Sequence, residues 1–101
     1  MKKVYLDNAA TTQLNQKVVD EMTSVLVNSY GNPSSTHFFG RDSKTIIELS
    51  RKFIADMFKV KPKEIFFTSG GTESNNMIIK SCVEHGVERI ITTKIEHKAV
   101  L

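Results

Sequence analysis

The residues Thr68-Ser69-Gly70-Gly71-Thr72-Glu73-Ser74-Asn75-Asn76 follow the apolar run Ile65-Phe66-Phe67 and open a segment with helical periodicity. A stretch of this kind brings backbone amides and hydroxyls to one point. Glycines let the main chain approach an anion and adopt positive φ, and the free amides of a first helical turn, with the dipole behind them, attract negative charge. This is phosphate-binding chemistry. The lysine of G-x-x-x-x-G-K-[ST] is missing and no G-x-G-x-x-G is present, so one phosphate of a small molecule fits better than a nucleotide polyphosphate. The same residues also read as a plain Gly-Gly turn between strand and helix with Thr72 as an ordinary cap, and local sequence leaves both readings open.

The chain has three histidines, a residue type whose pKa range suits proton transfer, and one of them, His97, stands within Glu96-His97-Lys98-Ala99-Val100. By residue type alone, a lone histidine after a strand is more often a surface or capping residue than a functional one. His37 falls in a loop and His85 at a helix end, where a cation is favourable, and neither is assigned a catalytic role. Cys82 is the only cysteine, which excludes an internal disulfide or a multi-thiolate metal site. Its position on an apolar helical face points to packing rather than nucleophilic chemistry.

The elements that must hold these groups are predicted as follows. An extended start at Val4-Tyr5-Leu6 precedes a helix from about Asn15 to Asn28, capped by Asn15, with Val18, Val19, Met22, Val25 and Leu26 on one face. Residues 29–35, with Asn32 before Pro33, form a loop. A second helix begins at Thr36 or Asp42 and runs to Phe58, with a core face of Ile46, Leu49, Phe53 and Met57 and with Ile47, Ile54 and Phe58 beside it. After a turn at Lys61-Pro62-Lys63, residues 64–68 read as a strand. A third helix from about Thr72 to His85 packs through Ile78, Ile79, Cys82 and Val83 and ends at Gly86. Residues 89–93 read as a second strand, and residues 96–101 as the start of another helix.

At 101 residues the chain is expected to form one small domain that buries somewhat over ~60% of its unfolded surface. The net charge of +3 comes from lysines interleaved with carboxylates, without a basic stripe carrying aromatics, which argues against nucleic acid as a partner. No run suits a signal peptide or a membrane span, and the lone cysteine agrees with a reducing compartment, so a soluble cytoplasmic protein is expected. No repeat or composition break marks an internal boundary within residues 1–101, and the final residues read as an element cut short, part of something larger.

Four blocks line up in order: Tyr5-Leu6-Asp7-Asn8-Ala9-Ala10-Thr11-Thr12, Gly31-Asn32-Pro33-Ser34-Ser35-Thr36-His37, residues 68–76, and Glu96-His97-Lys98-Ala99-Val100. With these blocks the chain closely resembles the N-terminal portion of cysteine desulfurases of the NifS and IscS type, in the class V aminotransferase family of fold type I. The resemblance implies an α/β fold in which an N-terminal extension of helices leads into the first strand-helix-strand unit of a mostly parallel sheet, at the start of the large cofactor-binding domain. Its two strands would not be immediate neighbours in that sheet, so each would expect other partners. The resemblance also implies pyridoxal 5'-phosphate as cofactor, and conversion of L-cysteine to L-alanine with transfer of sulfur as a persulfide for iron-sulfur cluster assembly. Gly71 and Thr72 match positions that contact the cofactor phosphate through backbone amide and hydroxyl, with Ser69 and Gly70 shaping the turn. His97 matches the histidine that lies against the pyridine ring and moves protons, hence both catalytic and cofactor-binding. Asp7, Asn8, Ala9 and Ala10 match a segment lining the substrate side of the pocket, although an Asx turn explains them equally.

The cofactor lysine, the acidic partner of the pyridine nitrogen, the substrate-carboxylate arginine and the persulfide cysteine all match positions beyond residue 101 in that family. Lys80, Lys94, Lys98 and Cys82 do not stand at those positions. The resemblance therefore implies that these 101 residues alone are inactive, while the complete enzyme is a homodimer that passes sulfur to an iron-sulfur scaffold or another acceptor protein. Two alternatives are a noncatalytic module that binds a phosphate ligand or a desulfurase subunit, and a related lyase or aminotransferase using the same cofactor.

Overall fold

The computed structural model describes residues 2–101, and the chain divides into two compact units, Met1–Pro62 and Lys63–Leu101. In the first unit, α1 spans Gln16–Asn28 and α2 spans Phe38–Phe58; in the second, α3 spans Gly71–Glu84. A 3-10 turn, Pro62–Glu64, occupies the predicted turn around Pro62.

The helix starts follow from side chains that offer an acceptor to free amides. Asn15 stands outside α1 in extended conformation, and its side chain accepts the Lys17 N–H at 2.9 Å, as its type predicts. His37 does the same for α2, its Nδ1 accepting the Gly40 N–H at 3.4 Å, so α2 begins between the two predicted starts. Residues 31–35 form the expected loop, in which Asn32 Oδ1 accepts the Ser34 N–H at 2.9 Å and the Asn32 carbonyl accepts that of Ser35.

This loop decides which face of α2 turns inward. Gly40 and Ser43 are buried, and the Ser43 hydroxyl donates to the Ser29 carbonyl at 3.0 Å, so the inner side runs on through half-buried Ile46, Ile47 and Ile54 to fully buried Ala55. Leu49, Phe53 and Met57, three of the four predicted core positions, lie outside at 62%, 67% and 66% exposure. The apolar arc of α2 is wide enough for two inward orientations, and the contacts at Gly40 and Ser43 select the second. α1 faces α2 across a hollow of about 370 Å³ lined by Met22, Val25, Leu26 and Ile46.

No β-strand occurs among the described residues, which corrects the strand assignments at 64–68 and 89–93 and with them the strand-helix-strand unit. A strand is defined by pairing, whereas alternation in one segment specifies only an extended chain. Residues 96–101 form turns rather than a helix. The accessible surface of 9580 Å² leaves about 40% of the unfolded surface buried on size scaling, below the share expected for a single domain of this length.

Candidate functional site

In α3, Gly70 is the N-cap, and the first helical bond runs from the Ser74 N–H to the Gly70 carbonyl at 3.1 Å. The amides of Gly71, Thr72 and Glu73 therefore precede the helical ladder, at the positive end of the dipole. Gly70 has no side-chain cap bond, so Thr72 is not the cap, and the plain-turn reading loses that element. The Thr72 carbonyl accepts from Asn76 Nδ2 at 2.9 Å, while Thr72 itself lies exposed.

The two glycines matter here through size and not through conformation. Gly70 is extended at φ 161°, a geometry open to any residue, and Gly71 is helical. Neither enters the left-handed region that a positive-φ glycine turn would use; the glycine that does is Gly86, at φ 86°. A Cβ placed on Gly70 or Gly71 meets nothing within 4 Å, so the main chain there is bare on the side where a side chain would stand.

Two side-chain links frame this bare stretch. Glu73 Oε2 accepts both the Ser69 N–H at 2.6 Å and the Ser69 hydroxyl at 2.7 Å, and these bonds hold the Glu73 carboxyl below its ordinary range. The Thr68 and Ser74 hydroxyls meet at 2.7 Å. Glu73 is the residue that the sequence reading passed over. Its signal is the acidic group at the third position of the helix, where a capping-box carboxylate bonds the N-cap amide; here it reaches one residue further back, to the amide and hydroxyl of Ser69.

His97 belongs to the same unit. Its Nδ1 accepts the Ala99 N–H at 3.1 Å, and its carbonyl accepts that of Val100 at 2.8 Å, so the ring caps a one-turn loop. An Nδ1 that accepts leaves Nε2 as the protonated nitrogen of the neutral ring. Beside it, Glu96 Oε1 accepts the Thr93 hydroxyl at 3.0 Å. A hollow of about 290 Å³ lies between α3 and this segment, lined by Asn75, Ile79, Ile91, Thr92, Glu96 and Val100 among others. Glu96 adjoins His97 and Asn75 stands three residues after Thr72, but Gly71, Thr72 and His97 do not themselves line it.

The remaining candidates are placed elsewhere. Half-buried Cys82 shares an apolar hollow of about 570 Å³ with Phe66, Met77 and His85, and the His85 ring bonds to the Ser81 carbonyl at 2.7 Å at the end of α3. Asp7 shapes its turn through its backbone carbonyl, which accepts the N–H groups of Ala10 and Thr11 and the Tyr5 hydroxyl.

The model of the aminotransferase class-V family matches residues 4–101. The chain is 50% identical over 103 residues to the cysteine desulfurase IscS of Dictyoglomus turgidum, covering 99% of this chain and 26% of that protein. It is 47% identical to the mitochondrial cysteine desulfurase of Eremothecium gossypii, covering 99% of this chain and 21% of that one. A solved structure described as a NifS-like protein superposes with a TM-score of 0.88 at 45% identity, over 98% of this chain and 28% of the other. The chain thus spans about a quarter of the length of the relatives it matches, and its fold is that of the corresponding part of a NifS-like protein. The chain belongs to the aminotransferase class-V family.

Proposed function

We propose that this chain is the phosphate-anchoring and ring-contacting part of a pyridoxal 5'-phosphate-dependent cysteine desulfurase, which takes sulfur from L-cysteine, leaves L-alanine and passes the sulfur on as a persulfide for iron-sulfur cluster assembly. The names of its relatives support the substrate, and family membership supports the cofactor. One observation carries the assignment to these residues. The α3 start has the amides of Gly71, Thr72 and Glu73 ahead of the helical ladder beside an exposed Thr72, and a Cβ added at Gly70 or Gly71 meets nothing within 4 Å, which suits the approach of a phosphate.

Bound there, the cofactor would supply an electron sink for the bonds around the substrate's α-carbon. Gly71 and Thr72 hold the phosphate by N–H and hydroxyl donation, assisted by the helix dipole. His97 would contact the cofactor ring. With its Nδ1 accepting the Ala99 N–H, the imidazole's orientation is set and its Nε2–H remains as a hydrogen-bond donor; to take up a proton the imidazole must release the Ala99 bond, because its basic lone pair is on Nδ1. The lysine that carries the cofactor, the persulfide cysteine, the homodimer contact and the surface for a sulfur-acceptor protein belong to the complete enzyme, which we place in the cytoplasm.

The test uses the full-length protein. It is expected to be yellow and to release sulfide from L-cysteine with dithiothreitol. Thr72→Ala should weaken cofactor retention about tenfold, and His97→Ala should lower turnover by about 10²-fold or more with the cofactor retained. Colourless, inactive full-length protein sinks the proposal, as does sulfide release from these 101 residues alone.

A further inference from the structure

We infer that Glu73 is a positioning residue for the phosphate cradle: by holding the amide and hydroxyl of Ser69, it fixes the chain ahead of α3 and leaves phosphate anchoring to Gly71 and Thr72. The inference rests on the proposed cofactor reading and names a residue that acts within that site without touching the ligand.

Ser69 carries two donors of the kind that a helix start presents to an anion. Both are occupied by one carboxylate oxygen, at 2.6 and 2.7 Å. On the other side, Thr68 is joined to Ser74 at 2.7 Å and also donates to the Gly70 carbonyl at 3.2 Å. The two links run from residues 68–69 to residues 73–74 and enclose only Gly70, Gly71 and Thr72. Two of those three residues are glycines, which lose the most backbone freedom on ordering. A tip fixed before binding spares the ligand that ordering cost.

The carboxyl of Glu73 is shifted below its ordinary range, first by the Ser69 hydroxyl and then by the Ser69 amide. A lowered carboxyl stabilises the folded form above its unfolded value, and that contribution is lost as pH falls through the folded value. The clamp is therefore intact at neutral pH and opens only in acid.

The test combines two measurements on the full-length protein. In the cofactor-free form, the Ser69 amide resonance is followed against pH. It should titrate with a midpoint below the ordinary glutamate range in the unmodified protein and lose that titration in Glu73→Gln. At pH 7, the Kd for pyridoxal 5'-phosphate should rise about threefold in Glu73→Gln, by less in Ser69→Ala, which keeps the amide bond, and in the double variant no further than in Glu73→Gln alone, because both bonds run through the one carboxylate. Additive losses, or unchanged affinity in Glu73→Gln, overturn the inference. An unmodified protein that retains no pyridoxal 5'-phosphate overturns the cofactor reading instead, and the amide titration still decides whether the clamp exists.

Discussion

At the start of α2, a Cβ added to Gly40 would meet the Ser35 carbonyl oxygen, the Asn32 carbonyl oxygen at 2.6 Å and the Ser35 Cβ at 2.8 Å, while one added to Gly31 would run into the Phe39 carbonyl. At the start of α3, a Cβ on Gly70 or Gly71 would meet nothing within 4 Å. The first pair of glycines is filled by the chain's own backbone, and the second pair is bare. Lacking a side chain serves packing in one place and access in the other. A glycine-rich block in the sequence does not say which; the atoms opposite the missing Cβ do.

The comparison is most directly broken at Gly40. Its two nearest neighbours are backbone oxygens, which cannot rotate out of the way, so Gly40→Ala should destabilise the first unit by about 3 kcal/mol. Denaturant unfolding followed by circular dichroism checks the loss, and hydrogen exchange at the Ser43 and Ile46 amides locates it. A variant as stable as the parent would mean that the loop at residues 31–35 is not seated on α2 as described.

Much of the helical layout was legible because its causes are local. The Asn15 cap, the Asn32-Pro33 loop, the end of α2 at Phe58 and the Gly86 terminator each depend on the residue itself and its immediate neighbours. The inward face of α2 was not legible: it depends on Ser29 and Asn32 meeting Ser43 and Gly40 across the loop, a choice that helical periodicity leaves open. The strand assignments failed for a related reason, since pairing is a property of two segments and residues 89–93 form no ladder among the described residues. At the candidate site, the free first-turn amides were readable from the glycine block. The conformation of the glycines was not, and neither was the reach of Glu73 back to Ser69, because both depend on how the chain enters the helix.

The comparison sharpens at Gly71, where stability and binding should part company. With nothing opposite its Cβ, Gly71→Ala should leave stability unchanged or raise it by about 0.5 kcal/mol, since alanine loses less freedom in a helix. The added methyl stands where a phosphate would approach the bare main chain, so retention of pyridoxal 5'-phosphate by the full-length protein should fall about tenfold. A loss of both properties together would make Gly71 a packing glycine like Gly40. A loss of neither would remove the cradle from Gly71.

The smallest effects are expected at the two helix ends, where glycine's freedom of conformation is at issue rather than its size. α2 closes with the Val60 N–H on the Ala55 carbonyl at 3.0 Å and the Lys59 N–H on that of Asp56 at 3.2 Å; α3 closes with Val87 on Cys82 and Gly86 on Val83, both at 3.0 Å. The pattern is the same double bond back into the last turn, and both pivots are left-handed, Lys59 at φ 56° and Gly86 at φ 86°. Lysine carries a Cβ into a region that disfavours it, while glycine enters without cost. Lys59→Gly should therefore stabilise the first unit, and Gly86→Ala should destabilise the second, each by about 1 kcal/mol. The Gly86 site has nothing within 4 Å of an added Cβ, so its loss would be conformational alone, in contrast with the steric loss at Gly40. Exchange rates of the Val60 and Val87 amides, compared between parent and variants, report each closure separately. Slower exchange at Val60 together with faster exchange at Val87 supports the distinction, and changes of the same sign at both refute it.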